Sequence, residues 1–274
     1  MVKQTSIAPL VVFRIAFGFL MLFSITRFII KGWVESMYIT PKVFFPYYGF
    51  EWIKPLPEWG MYLVFAILLL SCLGIILGLF YRVSTILFFT LFTYIELIDK
   101  TNYLNHYYFI SLIAFILIFL PAGKAFSIDN RIKKKTDVSL VSNFYILLPQ
   151  LQMFTLYFFA GVAKLNYDWL FEAQPLKLWL PAFVHYPIIG AYMEQDWVAY
   201  LFSWFGCIYD LTIGFLLFNR RTARVAYLLV IIFHMATAMF FNIGMFPYIM
   251  MTITIIFFSP EYHEKLLSSI KTLF

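Results

Sequence analysis

Residues 158–169 read FFAGVAKLNYDW, and this stretch closes a long apolar run with Lys164 and a polar turn. An apolar run of about 20 residues is long enough to cross a bilayer as a helix. Comparable runs recur along the 274-residue chain, which is 63% hydrophobic and 12% charged. A soluble globular domain carries about twice that charged fraction. The sequence therefore predicts an all-α, polytopic transmembrane helical bundle.

Apolar runs along the chain predict about eight spans in a single domain over residues 1–274. The spans are expected at residues 8–30, 61–80, 83–98, 106–121, 144–165, 197–218, 223–241 and 244–259. Short loops rich in Lys and Arg stay on the cytoplasmic side. With the amino terminus inside, twelve of the twenty Lys and Arg residues fall in inside segments and five in outside loops. Both termini are therefore expected in the cytoplasm.

Several polar side chains are expected at one depth, the outer third of the membrane, although they come from four different spans. These residues are Asp99, Lys100, Asn105, His106, Lys164, His234 and Asn242. Ionisable groups inside membrane helices are costly and normally face the bundle interior or a cavity. The sequence therefore predicts a functional site near the outer face.

Lys164 has two interpretations. It could be a helix-end lysine that extends its amine to water. Alternatively, Gly161 and Ala163 leave room beside the amine for a ligand. Partial burial would then favour the uncharged amine, which could act as a general base.

The other polar residues also have structural interpretations. His106 and His234 could each be a hydrogen-bonded interior histidine, and Asp99 with Lys100 could be interfacial charge. Arg14 and Asp210 are expected at the same depth, toward the inner half of the membrane. Because a lone charge there would be costly, we predict that they form a buried structural ion pair.

Other chemistries are excluded by spacing. The four histidines are scattered singly, without a CxxC or HExxH arrangement, so no metal site is expected. The net charge of +6 and the three consecutive lysines at residues 133–135 indicate which loops lie on the cytoplasmic side. No nucleic-acid partner is therefore expected. Cys72 and Cys207 lie inside apolar runs and imply no disulfide framework.

The stretch LPQLQMFTLYFFAGVAKLNYDWL at residues 148–170 resembles the HTTM membrane domain of the vitamin K-dependent gamma-glutamyl carboxylases. Further stretches agree in order: FRIAFGFLM from Phe13, PLPEWGMYLVF from Pro55, LGLFYRVS from Leu77, DKTNYLNHYYF from Asp99, YDLTIGFLLF from Tyr209 and FHMATAMFFNIGMFPYIM from Phe233. The resemblance covers residues 10–262.

This resemblance implies a chemistry and a set of site residues. Lys164 falls on the family's base, which deprotonates reduced vitamin K or another naphthoquinol. O2-dependent epoxidation of the quinol is coupled to carboxylation of glutamate by CO2, without a metal. Asn105 and His106 would orient the hydroquinone, His234 matches a second family histidine, and Gly161 borders the cofactor. Arg14 and Asp210 match as well, consistent with the structural pair.

The resemblance also implies binding partners and a cellular location. The partners would be membrane lipid, a quinol and a secreted peptide or protein substrate. The animal enzymes carry a large lumenal domain after the bundle, whereas this sequence stops at Phe274, and Ala163 stands where the family often has a second lysine. A bacterial inner membrane is the expected location, with the active site toward the outer face. The alternative role is a non-catalytic membrane helper in the maturation or export of a secreted peptide.

Overall fold

The computed structural model describes residues 3–271, with the side chains of residues 270 and 271 excepted. The helices are α1 (Ala8–Ile30), α2 (Glu58–Leu77), α3 (Tyr81–Ile98), α4 (Asn105–Phe119), α5 (Ile128–Ile132), α6 (Phe144–Ala163), α7 (Tyr167–Leu170), α8 (Leu176–Trp179), α9 (Asp196–Phe218), α10 (Ala223–Phe240), α11 (Phe246–Thr254) and α12 (Pro260–Lys271). Two short strands, β1 (Gln4–Ser6) and β2 (Leu140–Ser142), pair antiparallel with Thr5 opposite Val141. The predicted all-α class is confirmed.

Six helices of the described chain are long and apolar enough to cross a membrane, namely α1, α2, α3, α6, α9 and α10. Two shorter apolar helices lie where the fourth and eighth spans are predicted. They are α4 (Asn105–Phe119) and the helix Phe246–Phe257, which consists of α11 and the 3₁₀ turn Ile255–Phe257 that follows it. The helices thus support an integral membrane protein, while the number of spans and the side of the termini stay predictions.

The chain forms two compact units. The described part of the first comprises residues 3–149 with 258–271, and the second comprises Gln150–Phe257. In the first unit α1 packs against α2 and α12, α2 against α3, and α3 against α4. In the second unit α9 packs against α7, α8 and α10, and α10 packs against α11. The prediction of one domain over residues 1–274 stays a prediction.

Arg14 is buried completely in the first unit, and its guanidinium binds main-chain oxygens. It donates to the carbonyls of Phe126 at 2.6 Å and Ala122 at 2.8 Å, with longer bonds to Ala125 and Ile76. These carbonyls belong to the end of α2 and to the turns after α4. Arg14 therefore ties three chain segments together through its hydrogen bonds.

Gly78 makes room for this arrangement. It ends α2 in the left-handed conformation with φ +61°, and its N–H closes the last turn of the helix. A Cβ added there would lie 2.5 Å from the Cβ of Ser127 and 2.7 Å from Nη1 of Arg14. Both backbone conformation and crowding therefore require glycine at this position.

We expect Gly78→Ala to lower the free energy of unfolding by about 2–4 kcal/mol, because the strain of the left-handed backbone conformation and the overpacking of the added methyl group are both unfavourable. Gly32→Ala is the matched control, since Gly32 has φ +69° but no atom within 4 Å of the added Cβ. The control should lose only about 1 kcal/mol. Unfolding in mixed detergent micelles, followed by circular dichroism, measures both, and equal losses would contradict the crowding argument.

Candidate functional site

Helices α6 and α9 come into close contact through glycine. A Cβ added at Gly161 of α6 would lie 2.7 Å from the main-chain nitrogen of Leu211, and one at Gly214 of α9 would lie 2.6 Å from the ring of Phe154. Small residues at such positions let two helix backbones approach closely. The space beside Gly161 is thus filled by Leu211, and the predicted place of Gly161 beside a cofactor stays a prediction.

Lys164 follows the last residue of α6 and forms an ion pair with Asp210 of α9. Its Nζ lies 2.6 Å from Oδ2 of Asp210 and also donates to the carbonyl of Ala160 at 3.2 Å. The ring of Trp169 covers the amine, with 5.1 Å between Nζ and the ring centroid. The two charged side chains are 21% and 8% exposed. The amine therefore turns toward a counter-ion inside the unit rather than extending to water.

The structure describes the partners of Arg14 and Asp210 within their own units, and the predicted ion pair between these two residues stays a prediction. Asp210 binds Lys164, whereas Arg14 binds main-chain carbonyls. That prediction estimates depth by distance from the helix ends. The first turns of α9 extend beyond the end of α6 and lie beside α7, where the indole of Trp169 donates to the carbonyl of Ser203 at 2.8 Å. The middle of α9 therefore lies level with the end of α6.

His234 of α10 is buried and bonded to Tyr157 of α6. The Oη of Tyr157 lies 3.1 Å from Nε2 of His234. When the tyrosine donates, Nδ1 of the imidazole carries the hydrogen. Nδ1 has no hydrogen-bond partner among the residues that the structure describes. His234 is thus a hydrogen-bonded interior histidine on one side and a spare buried donor on the other.

A cavity of about 480 Å³ lies within the second unit. Its lining is mainly aromatic and aliphatic, and it also includes Tyr157, Asp210, His234 and Thr237. Ala160, whose carbonyl binds Lys164, lines it as well. A mostly apolar cavity of this size with a few polar groups is typical of a small-molecule site. Asp210 of the ion pair and the imidazole of His234 can therefore contact one bound ligand, with Lys164 behind Asp210.

Asn105 and His106 belong to the first unit. Asn105 is exposed and begins α4, and His106 is buried with its ring 4.6 Å from that of Tyr107. The predicted meeting of these two residues with Lys164 and His234 stays a prediction.

Asp99, another polar residue of the first unit, stabilises a turn. Its Oδ1 accepts from the main-chain N–H of Thr101 at 2.9 Å and from the hydroxyl of Thr101 at 2.8 Å. The carboxylate caps the short helix Lys100–Asn102. Its hydrogen bonds thus give Asp99 a structural role.

Tyr157 and the face of α9 that meets α6 were missed by reasoning from the sequence. Tyr157 lies seven residues before Lys164, on the same helix face. Residues 203, 207, 210 and 214 follow the same helical spacing and read Ser, Cys, Asp and Gly. A stripe of small residues interrupted by one acid is a signal that could have placed Asp210 against α6.

The HTTM domain family model matches residues 2–262. The match covers nearly the whole chain and residues of both units, so it does not depend on the stretch around Lys164 alone. No solved structure matches the chain.

We expect Lys164→Met to lower the free energy of unfolding by about 3 kcal/mol, because it leaves the Asp210 carboxylate buried without a counter-ion. The double variant Lys164→Met, Asp210→Leu should recover most of the loss, since apolar side chains replace both charges. Unfolding in mixed micelles measures the three proteins. A double variant no more stable than Lys164→Met would contradict the importance of the pairing.

Proposed function

The chain belongs to the HTTM domain family, and on this premise we propose that it is an integral membrane enzyme similar to the vitamin K-dependent gamma-glutamyl carboxylases. Its substrates would be a reduced naphthoquinone, O2, CO2 and a glutamate side chain in a secreted peptide or protein. The observation that carries the proposal is the Lys164–Asp210 pair, whose carboxylate lines an apolar cavity.

The overall reaction balances without a further oxidant. The hydroquinone supplies the electrons, so that one atom of O2 becomes the epoxide oxygen and the other leaves as water with the two hydroxyl hydrogens. The γ-carbon of glutamate loses a proton and forms a bond to CO2. The protein's share is to bind the ring, move the first proton and exclude water.

Lys164 is proposed as the base for the first hydroxyl proton, once its amine has given up the proton that it holds in the pair with Asp210. Asp210, at 2.6 Å, then holds the resulting ammonium and supplies its counter-ion. This matters because a newly formed charge beside apolar walls is costly without a partner. The indole of Trp169 adds a cation–π contact on the other side of the amine.

His234 is proposed to bind the second oxygen of the ring. Tyr157 occupies Nε2 and fixes the imidazole, which leaves the Nδ1 donor for a ligand oxygen. A hydroquinone carries oxygens at opposite ends of its ring, so a site with two polar points suits it. Asn105 and His106 stay proposed as further groups that orient the hydroquinone, on the strength of the resemblance.

The proposed setting is a bacterial inner membrane with the site toward the outer face. The apolar lining supports a lipid-soluble substrate, and a site shielded from water suits a strongly basic intermediate. No metal has a role in the proposed reaction.

We expect the purified protein to convert reduced vitamin K and O2 to the epoxide, and Lys164→Ala to lower the rate by at least about a hundredfold, as for loss of a general base. Lys177→Ala is the matched control. Lys177 lies in the same unit and also pairs with a carboxylate, that of Asp196 at 3.3 Å, but Asp196 does not line the cavity, whereas Asp210 does. Its replacement should leave the rate within about twofold, as for an exposed pair.

Liquid chromatography with mass spectrometry of lipid extracts measures the epoxide. Full activity of Lys164→Ala would remove Lys164 from the mechanism. A folded wild-type protein that binds the quinol but forms no epoxide would favour the non-catalytic helper. The helper role also predicts unchanged quinol binding when Lys164 and His106 are replaced.

A further inference from the structure

The cavity opens sideways between α9 and α10. Three of its lining residues, Leu201 and Phe205 of α9 and Ile232 of α10, are 55%, 49% and 56% exposed. Both helices are long and apolar enough to cross a membrane, so large apolar side chains exposed on them face lipid. We call these three residues the lateral opening. A ligand can therefore reach the cavity from the lipid phase.

The polar groups of the cavity lie at its buried side. Tyr157, Asp210 and His234 all line it, and all three residues are buried. Polarity thus decreases from these groups toward the lateral opening. Such a cavity fits a molecule with a polar head and a hydrocarbon chain that leads out to lipid.

Gly206 forms part of the wall between these two ends, one helical turn from Asp210 on α9. A Cβ added at Gly206 would meet a single atom within 4 Å, Cζ2 of Trp169 at 3.8 Å. At Gly161 and Gly214, in contrast, an added Cβ would clash with the facing helix. Glycine inside a helix costs about 1 kcal/mol relative to alanine. Because no neighbouring helix requires the small residue at 206, the open space belongs to the cavity.

We propose that the lateral opening and the space beside Gly206 hold the isoprenoid tail of the quinol, so that Gly206 is a specificity-determining residue for long-tailed substrates. The ring lies toward Asp210 and His234, and the tail leaves between α9 and α10. This inference rests on the proposed function, since it names the tailed class of quinol that the same site takes.

Equilibrium binding of two oxidised, tritium-labelled quinones to the full-length protein tests the proposal without requiring turnover. One probe is a menaquinone with four isoprene units, and the other is menadione, which has the same ring and no isoprenoid tail. The test variants are Gly206→Leu, which fills the passage, and Ile232→Trp, which narrows the lateral opening. Leu228→Trp is the matched control, because Leu228 lies one turn from Ile232 on α10, is 55% exposed and does not line the cavity.

We expect both test variants to weaken menaquinone binding by about tenfold or more, since several methylene groups lose their apolar contacts. Binding of menadione should stay within about twofold of wild type, and Leu228→Trp should leave the affinity for both quinones unchanged. Unchanged menaquinone binding in both test variants would overturn the proposal, and so would equal weakening of the two quinones.

The same titration separates this inference from the proposed function. A wild-type protein that binds both quinones with the expected selectivity but forms no epoxide would overturn the enzymatic function and leave the tail passage standing. A folded wild-type protein that binds neither quinone would overturn both. Far-ultraviolet circular dichroism of each variant shows whether it is folded.

Discussion

A charge placed inside an apolar helical bundle needs a partner, and this constraint shapes both units of the protein. In the second unit the amine of Lys164 and the carboxylate of Asp210 meet at 2.6 Å. In the first unit the guanidinium of Arg14 is surrounded by main-chain carbonyls at the end of α2 and after α4. A planar guanidinium with five donors can be satisfied by several carbonyls at once. The ammonium of Lys164, at the end of α6, instead pairs with the carboxylate of Asp210.

Glycine serves two different purposes around the candidate site. Gly161 and Gly214 bring α6 and α9 together, because any side chain at either position would overlap the facing helix. That close approach is what places Asp210 within reach of Lys164. Gly206 lies on the same helix as Gly214 but borders the cavity, with space where a side chain would stand. One helix thus presents a packing face to α6 and a cavity-lining face toward α10.

The cavity connects the ion pair to the membrane. Its buried side carries Asp210, His234 and Tyr157, and its open side carries apolar residues that face lipid. Membership of the HTTM domain family and this distribution of polarity support the same proposal, a lipid-soluble quinol whose ring is bound at the ion pair. The apolar walls favour such a reaction because they keep water from a strong base.

The sequence by itself determined the all-α class and the approximate positions of the helices, because apolar runs of sufficient length have few alternatives in a membrane. It also singled out Lys164 and His234, since an ionisable residue in an apolar run is conspicuous. Only the tertiary structure decided their partners. Lys164 meets Asp210 because α9 extends beyond the end of α6, and the sequence of neither helix alone reveals that offset. The carbonyls that bind Arg14 are equally hidden, because every residue has one and the sequence does not distinguish them.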